Sequence, residues 1–277
     1  MANDVVFVFD FDKTIIDCDS DNWVVEELGF NDLFTQLLPT MPWNSLMDRM
    51  MMEIHSQGKT IHDIAECLKR APIDPTIISA IKSAHAFGCD LRILSDANAF
   101  FIETVLKHHG ILDCFKEIKT NPSHIDGEGR LRISPYHDFN SSSHGCKICP
   151  PNMCKGAILE RMRASLSAEG KKRFVHAGDG TADFCAGLKL EEGEYLLPRK
   201  DFPVWDVICK NPMLIKANIR EWSNWEEFEA VLLDTINGFL FADDSSTAAR
   251  ADQVIPVDCK FQQSSISARQ SALRVPH

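Results

Sequence analysis

The sequence predicts an α/β fold, a parallel sheet covered by helices on both faces. Three observations predict it. Continuous β-branched and aromatic runs recur along the chain, as strands buried on both faces require. Helical stretches separate those runs. Each run ends in small or acidic residues, at the strand ends where open α/β sheets bind their ligands.

The first run is Val5-Val6-Phe7-Val8-Phe9, and it ends at Asp10. The next strand comes too late for a simple crossover helix. The intervening segment, 21–86, reads as several helices broken at Pro39, Pro42, Pro72 and Pro75. Its Trp23, Phe30, Phe34, Trp43, Leu46, Met47, Met50 and Met51 suit packing between those helices. Such an insertion is expected to stand over the strand ends. The second strand, 90–94, runs into Ser95-Asp96 and is followed by a helix over 98–109. A hairpin is expected within 119–150, turning at Asp126-Gly127-Glu128-Gly129 between Ile125 and Leu131-Arg132-Ile133. A helix over 154–168 leads to a strand at 173–177, which stops at Gly178-Asp179-Gly180. A weaker strand at 194–197 and helices over 202–210 and 225–240 complete the pattern. Beyond Phe241 the composition shifts to Ser, Ala, Gln and isolated charges, so 243–277 reads as a disordered tail. The expected organisation is a core of 1–20 and 87–242, a helical insertion of 21–86, and that tail.

Composition bounds the function. Hydrophobic residues make up 44% and charged residues 25% of the 277-residue chain, an ordinary globular balance. No apolar run approaches the ~18 residues of a membrane span, and no signal peptide is evident at Met1–Asp10. With no secretion signal, the 10 cysteines read as thiols or metal ligands rather than disulfides. A cytoplasmic protein is expected. The net charge is −11. In 243–277, Asp243, Asp244, Asp252 and Asp258 balance Arg250, Lys260, Arg269 and Arg274, so the excess sits on 1–242. That field disfavours nucleic-acid backbones and anionic membranes. It leaves small phosphorylated metabolites open, because they meet only the field of a pocket. Oligomeric state is not legible.

Asp10-Phe11-Asp12-Lys13-Thr14 sets two carboxylates at i and i+2 just past a buried strand, aimed the same way while the chain stays extended. Carboxylates that close need a proton or a cation between them. A hard divalent cation such as Mg²⁺ fits and brings a phosphate with it. Asp10 is then placed to attack phosphorus and Asp12 to pass a proton to the leaving oxygen. Alone, the pair also reads as a turn. The order along the chain adds weight. Ser95 ends a strand, where its hydroxyl and N–H suit a phosphoryl oxygen or a helix N-cap. Lys155 opens a helix and suits neutralising nucleophile and phosphate. Gly178-Asp179-Gly180-Thr181-Ala182-Asp183 supplies two further acids where glycines allow close backbone approach.

With these residues in place, the sequence resembles the haloacid dehalogenase superfamily of aspartate-nucleophile phosphatases. All four superfamily motifs find a match, at Asp10/Asp12, Ser95, Lys155 and Asp179/Asp183. Residues 9–21, Ser95-Asp96-Ala97-Asn98 and Cys149-Pro150-Pro151-Asn152-Met153-Cys154-Lys155-Gly156 look like the phosphoethanolamine/phosphocholine phosphatase family. Its plant-type relatives with thiamine phosphate or pyrophosphate activity look similar too. The likeness covers about residues 5–240. It implies a Rossmann-like sheet with a helical C1 cap inserted after the first strand. It implies Asp10 as nucleophile and magnesium ligand, and Asp12 as acid/base lending its backbone carbonyl to the metal. Asp179 and Asp183 become metal residues, and Ser95 and Lys155 hold the phosphoryl group. Asp21 and Asp96 match positions tied to substrate recognition, and a carboxylate pair away from the metal favours a cationic leaving group: phosphocholine, phosphoethanolamine or thiamine monophosphate. Trp23 or Trp43 would add a cation–π contact if it faced the pocket. The sequence departs from the expected pattern at His176-Ala177, where a more apolar strand end is usual.

His144-x-Cys146-x2-Cys149-x4-Cys154 is a second constellation. It reads as a structural zinc site or as packed thiols. The alternatives to a monoester phosphatase are an inorganic pyrophosphatase and a catalytically idle binding protein on the same fold. Two adjacent acids that packing does not require argue against the idle protein.

Overall fold

Val5–Phe9 forms the central strand, β1, of the computed structural model, which describes residues 4–242. The disorder expected for 243–277 lies outside the described residues. β1 pairs in parallel with β2 (Asp90–Asn98) on one side and with β6 (Arg173–Gly178) on the other. β3 (Phe115–Asn121) extends the sheet beyond β2, and β7 (Tyr195–Pro198) and β8 (Asn218–Ile219) extend it beyond β6. All these pairings are parallel, and the order is β3-β2-β1-β6-β7-β8. The order reverses between β1 and β6, so this doubly wound sheet has its topological switch point there. Register pairs Phe9 with Ala177, which brings Asp10 and the Gly178-Asp179-Gly180 turn out side by side.

Four of the six strands were expected. β3 and β8 lie at the sheet edges, where the apolar signal fades. The middle of β3 is half-exposed and carries Lys116, Glu117 and Lys119, while β8 is two residues long. β2 also runs further than expected, with a register shift against β3 between Leu94 and Asn98. Ser95 and Asp96 are therefore strand residues. The N-cap of the next helix, α6 (Ala99–His108), is Asn98, which accepts the Phe101 N–H.

Side chains of β1 alternate between two cores, as the two-residue period of a strand demands. Val5, Phe7 and Phe9 pack with Phe101, Phe228, Leu232 and Ile236 on one face. Val6 and Val8 pack on the other face with Ile158, Leu159, Phe184, Val204 and Ile208. The second layer comes from α7 (Lys155–Leu166), α8 (Thr181–Gly187) and α9 (Pro203–Lys210).

The segment between β1 and β2 holds α1 (Ser20–Glu27), α2 (Asn31–Leu37), α3 (Trp43–Ser56), α4 (Ile61–Leu68) and α5 (Pro75–Ala86). Leu46, Met47, Met50, Met51 and Ile54 form the buried stripe of α3. Pro42 sits at its N-cap, and Pro75 occupies the first turn of α5 behind the Asp74 cap. α5 packs on α10 (Trp225–Ala242) and on β2, in the layer beside the sheet. α3 is tied instead to the expected hairpin of β4 (Ser123–Ile125) and β5 (Leu131–Ile133). Arg132 donates to both oxygens of Asp48 at 2.9 and 2.6 Å, and the Ile133 N–H adds a third bond at 2.9 Å. Among the described residues, eight cysteines carry free thiols. Among the described residues, no helix is long and apolar enough to cross a membrane.

Asp48→Ala removes a bidentate charged pair and a backbone acceptor together. It should cost about 1.5–3 kcal/mol in urea denaturation, with Asp48→Asn costing less. An unchanged midpoint for Asp48→Ala would show that the hairpin is held otherwise.

Candidate active site

The site forms where β1, β2 and β6 end. Asp10 follows β1, and its backbone N–H continues the pairing to Ala177 O at 2.9 Å. Its carboxylate is buried. One oxygen accepts from the Phe11 N–H and the other meets Lys155 Nζ at 2.7 Å. Lys155 opens α7 and is itself buried, with Nζ also 2.8 Å from Asp183 Oδ1. Carboxylate oxygens of Asp10, Asp179 and Asp183 lie within 4.8 Å of one another.

Asp183 is the most tightly held of the three. Oδ1 faces Lys155 Nζ and, at 2.9 Å, His176 Nε2, and Oδ2 accepts the Gly180 N–H at 2.9 Å. His176 uses its other ring nitrogen on Val8 O at 3.0 Å. The polar strand end that departed from the expected pattern is therefore a bracket between β1 and Asp183. Gly178 is required beside it, since a Cβ there would lie 2.1 Å from Asp183 Cγ.

Burial sets the protonation of these acids. It raises Asp10 well above the carboxylate range, reinforced by Asp183 and opposed by Lys155. Burial and then Asp183 push Asp179 up to about 7. At Asp183 burial is outweighed by Lys155 and His176, and the carboxyl stays below its ordinary value. Three carboxylates thus share one ammonium, a deficit that a divalent cation balances. An all-oxygen donor set fits magnesium.

Asp12 is half-buried and accepts the Ser20 N–H at 2.9 Å. Burial, then Asp19 and Asp21, raise it well above the usual carboxylate range, against the Ser20 N–H, which lowers it. Lys13 follows in the left-handed region, φ 53°. Its carbonyl accepts from Arg199 at 2.7 Å, which anchors the turn to the segment after β7.

These groups line a cleft of about 260 Å³, together with Lys13, Asp19, Asp96, Ile148, Pro150, Gly180, Thr181 and Ala182. That is below the ~300–1,000 Å³ of pockets for drug-sized ligands, so the cleft suits a small metabolite. Asp96 is exposed on its wall, whereas Ser95, one residue back in the extended strand, is fully buried. Ser95 Oγ accepts the Ala97 N–H at 3.4 Å, and Ser95 does not line the cleft as expected. Asn121 fixes this strand end by donating to the carbonyls of Asp96 and Ala97 at 2.6 and 2.8 Å.

Asp21 does not line the cleft either. It is buried, accepts from Trp43 Nε1 at 2.7 Å, and burial followed by Asp19 raises it to about 8. Asp19 lines the wall instead, as the N-cap of α1 that accepts the Asn22 N–H. The acidic run 17–21 contained that signal, because an Asp three residues before Asn22 is a cap candidate. Trp23 and Trp43 bond to Cys67 O and Asp21 respectively, and neither lines the cleft. The cysteine constellation changes as well. His144 is engaged by Pro150 O and by the Cys146 N–H, and the fourth member of the cluster with Cys146, Cys149 and Cys154 is Cys185.

Comparison with known proteins agrees with this geometry. Residues 5–236 match the model of a family described as "Putative Phosphatase". "Inorganic pyrophosphatase 2" of Arabidopsis thaliana is 59% identical over 243 residues, 87% of this chain and 87% of that protein. "Thiamine phosphate phosphatase-like protein" of the same plant is 52% identical over 242 residues, 87% of this chain and 99% of that one. Among solved structures, a phospho-aspartyl intermediate analogue of phosphoserine phosphatase aligns with a TM-score of 0.53 at 14% identity. That alignment covers 82% of this chain and 97% of that one, and it shows a shared fold.

Gly178→Ala should displace Asp183 and lower turnover by orders of magnitude. Gly127→Ala, where a Cβ meets nothing within 4 Å, should change nothing. Equal activity in the two variants would contradict the packing described. Asp21 makes a pH prediction. Its folded value of about 8 exceeds the ordinary 3.8, so its contribution to stability is full below 3.8 and is lost as pH rises through 8. Asp21→Asn keeps an acceptor for Trp43 and lacks this loss. Its Tm relative to wild type should climb by several degrees between pH 4 and pH 8, and a pH-independent difference would refute the assignment.

Proposed function

This chain belongs to the Putative Phosphatase family of haloacid dehalogenase-type enzymes, and from that premise we propose a magnesium-dependent phosphatase for small phosphate monoesters with a compact cationic leaving group. The sign of the cleft carries the leaving-group reading. Beyond the three clustered carboxylates, the wall adds Asp12, Asp19 and Asp96, and the cations lining it are Lys13 and Lys155. An ammonium or thiazolium group beside the phosphate is attracted by that wall, and a second anionic group is repelled. Phosphocholine, phosphoethanolamine and thiamine monophosphate all meet these requirements.

Asp10, with the Lys155 ammonium 2.7 Å from its carboxylate, attacks phosphorus. The new Asp10–phosphorus bond forms as the bond to the leaving oxygen breaks. Asp12, held by the Ser20 N–H and raised in pKa by burial, gives its proton to that oxygen. Asp12, now a carboxylate, takes a proton from the water that attacks phosphorus next, releasing phosphate and restoring Asp10. Asp10, Asp179 and Asp183 would hold magnesium, which when bound would supply positive charge to the phosphoryl oxygens. Lys155 supplies further positive charge where the phosphoryl group binds.

A second reading has its own support, the 59% identity to a protein named inorganic pyrophosphatase. In that case the leaving group is phosphate and Lys13 is its partner on the wall. Steady-state kinetics on the four substrates separate the readings. The cationic esters should have the highest kcat/KM, and Asp19→Asn (which keeps the helix cap) and Asp96→Asn should raise their KM several-fold while sparing an aryl phosphate. A wild type that prefers pyrophosphate, gains on Asp96→Asn and loses on Lys13→Ala supports the second reading. Under either, Asp10→Asn should be inactive though folded, and Asp12→Asn should lose roughly 10²–10⁴ in kcat.

A further inference from the structure

Away from the carboxylates, four cysteines converge. Cys146, Cys149 and Cys154 come from the loop before α7, and Cys185 comes from α8. Their sulfurs all lie within 4.8 Å of one another. Cys146 Sγ is 3.7 Å and Cys154 Sγ 3.9 Å from Cys185 Sγ. All four are free thiols, and a disulfide would need about 2.0 Å. Zinc bonds thiolates at ≈ 2.3 Å, so the edge of a tetrahedral four-sulfur site is about 3.8 Å. The two separations straddle that edge.

The backbone around the cluster is arranged for negative sulfur. The N–H groups of Ile148 and Cys149 point at Cys146 Sγ, both at 3.4 Å. The N–H groups of Lys155, Ala157 and Gly156, in the first turn of α7, face the sulfurs of Cys149, Cys154 and Cys185. This is the positive end of the helix dipole. The Lys189 ammonium, bonded to Glu160 at 2.8 Å, adds an electrostatic attraction for negative charge on Cys185 and Cys154. Gly156 makes the approach possible, since a Cβ there would lie 2.8 Å from Cys185 Sγ.

The geometry points to a structural zinc site in which Cys146, Cys149, Cys154 and Cys185 bind one ion as thiolates, their protons released to solvent. The site staples the loop to α8. Ile148 and Pro150, in that loop, line the catalytic cleft, Lys155 follows Cys154 directly, and Asp183 precedes Cys185 by two residues. The staple therefore positions one wall of the cleft and both ends of the Lys155–Asp183 pair.

The test is metal analysis of the full chain, purified with reductant and without chelator from zinc-supplemented culture. One zinc per chain is expected, and His144→Ala should keep it. Cys185→Ser and Cys146→Ser should each retain less than roughly a tenth of an equivalent after gel filtration, because one of the ligands that make the affinity is gone. Cys185 is buried, so where its variant fails to fold, Cys146→Ser in the loop carries the test, with circular dichroism reporting the fold. Cobalt-loaded wild type should show the charge-transfer and d–d absorption of a tetrahedral thiolate site, lost in Cys146→Ser. A zinc-free wild type with four titratable thiols, a zinc content unchanged in Cys146→Ser, or a zinc content lost in His144→Ala overturns the proposal.

Discussion

The Lys155 ammonium is the charge on which the rest of the site depends. A buried ion without partners costs several kcal/mol, and breaking one buried pair leaves its partner uncompensated. Here the ammonium sits between Asp10 Oδ2 and Asp183 Oδ1, at 2.7 and 2.8 Å. Asp10 reaches it from the end of β1, Asp183 from the first turn of α8 just after β6, and the lysine opens α7. The contact is possible only because β1 and β6 are neighbours at the switch point of the sheet. Asp183 holds its place through His176 and the Gly180 N–H, and Gly178 leaves room for it. Remove any of these and two buried carboxylates lose the charge that makes their ionisation tolerable.

Two populations of acid follow from this arrangement. Asp10, Asp179 and Asp183 cluster around positive charge. Asp12, Asp19 and Asp21 crowd together, and each is pushed upward in pKa with burial the first cause, as are Asp10 and Asp179. The first group is gathered where a metal and a phosphate would sit, while Asp12 and Asp19 of the second line the cleft wall beside it. The proposed reaction asks two things of one small cleft: a nucleophile beside a cation and, two residues away, an acid able to carry a proton. The difference comes from what surrounds each carboxylate, since the residue type is the same.

Legibility in the sequence followed burial. β1, β2, β6 and β7 were visible because strands covered on both faces carry unbroken apolar runs. The edge strands β3 and β8 dilute that signal with charge or are too short to hold one. Near the site, residues placed by the strand ends could be anticipated from order alone. Those placed by side-chain direction could not. Extended geometry through Ser95 and Asp96 turns one inward and the other to the cleft. The start of α1 at Ser20 decides that Asp19 faces the cleft while Asp21 is drawn to Trp43. His176 looked like a flaw in a strand because its partners, Val8 and Asp183, are visible only once the sheet is assembled. Cys185 escaped notice for a similar reason, being separated from Cys154 by a helix and a strand.

The first turn of α7 is where the two clusters meet. The side chain of Lys155 reaches into the carboxylates, while its backbone N–H faces Cys149 Sγ. Gly156 and Ala157 direct their N–H groups at Cys185 and Cys154. One helical turn therefore serves two anionic groups, one through a side-chain charge and the other through the backbone dipole. A side chain with several rotatable bonds places its ammonium accurately only if its Cα is fixed. The cysteine contacts fix that Cα on the side away from the cleft, and the Asp10 and Asp183 contacts fix the nitrogen at the other end. The sulfur cluster thus bears on the nucleophile through Lys155, beside its effect on the wall through Ile148 and Pro150, without any contact between cysteine and substrate.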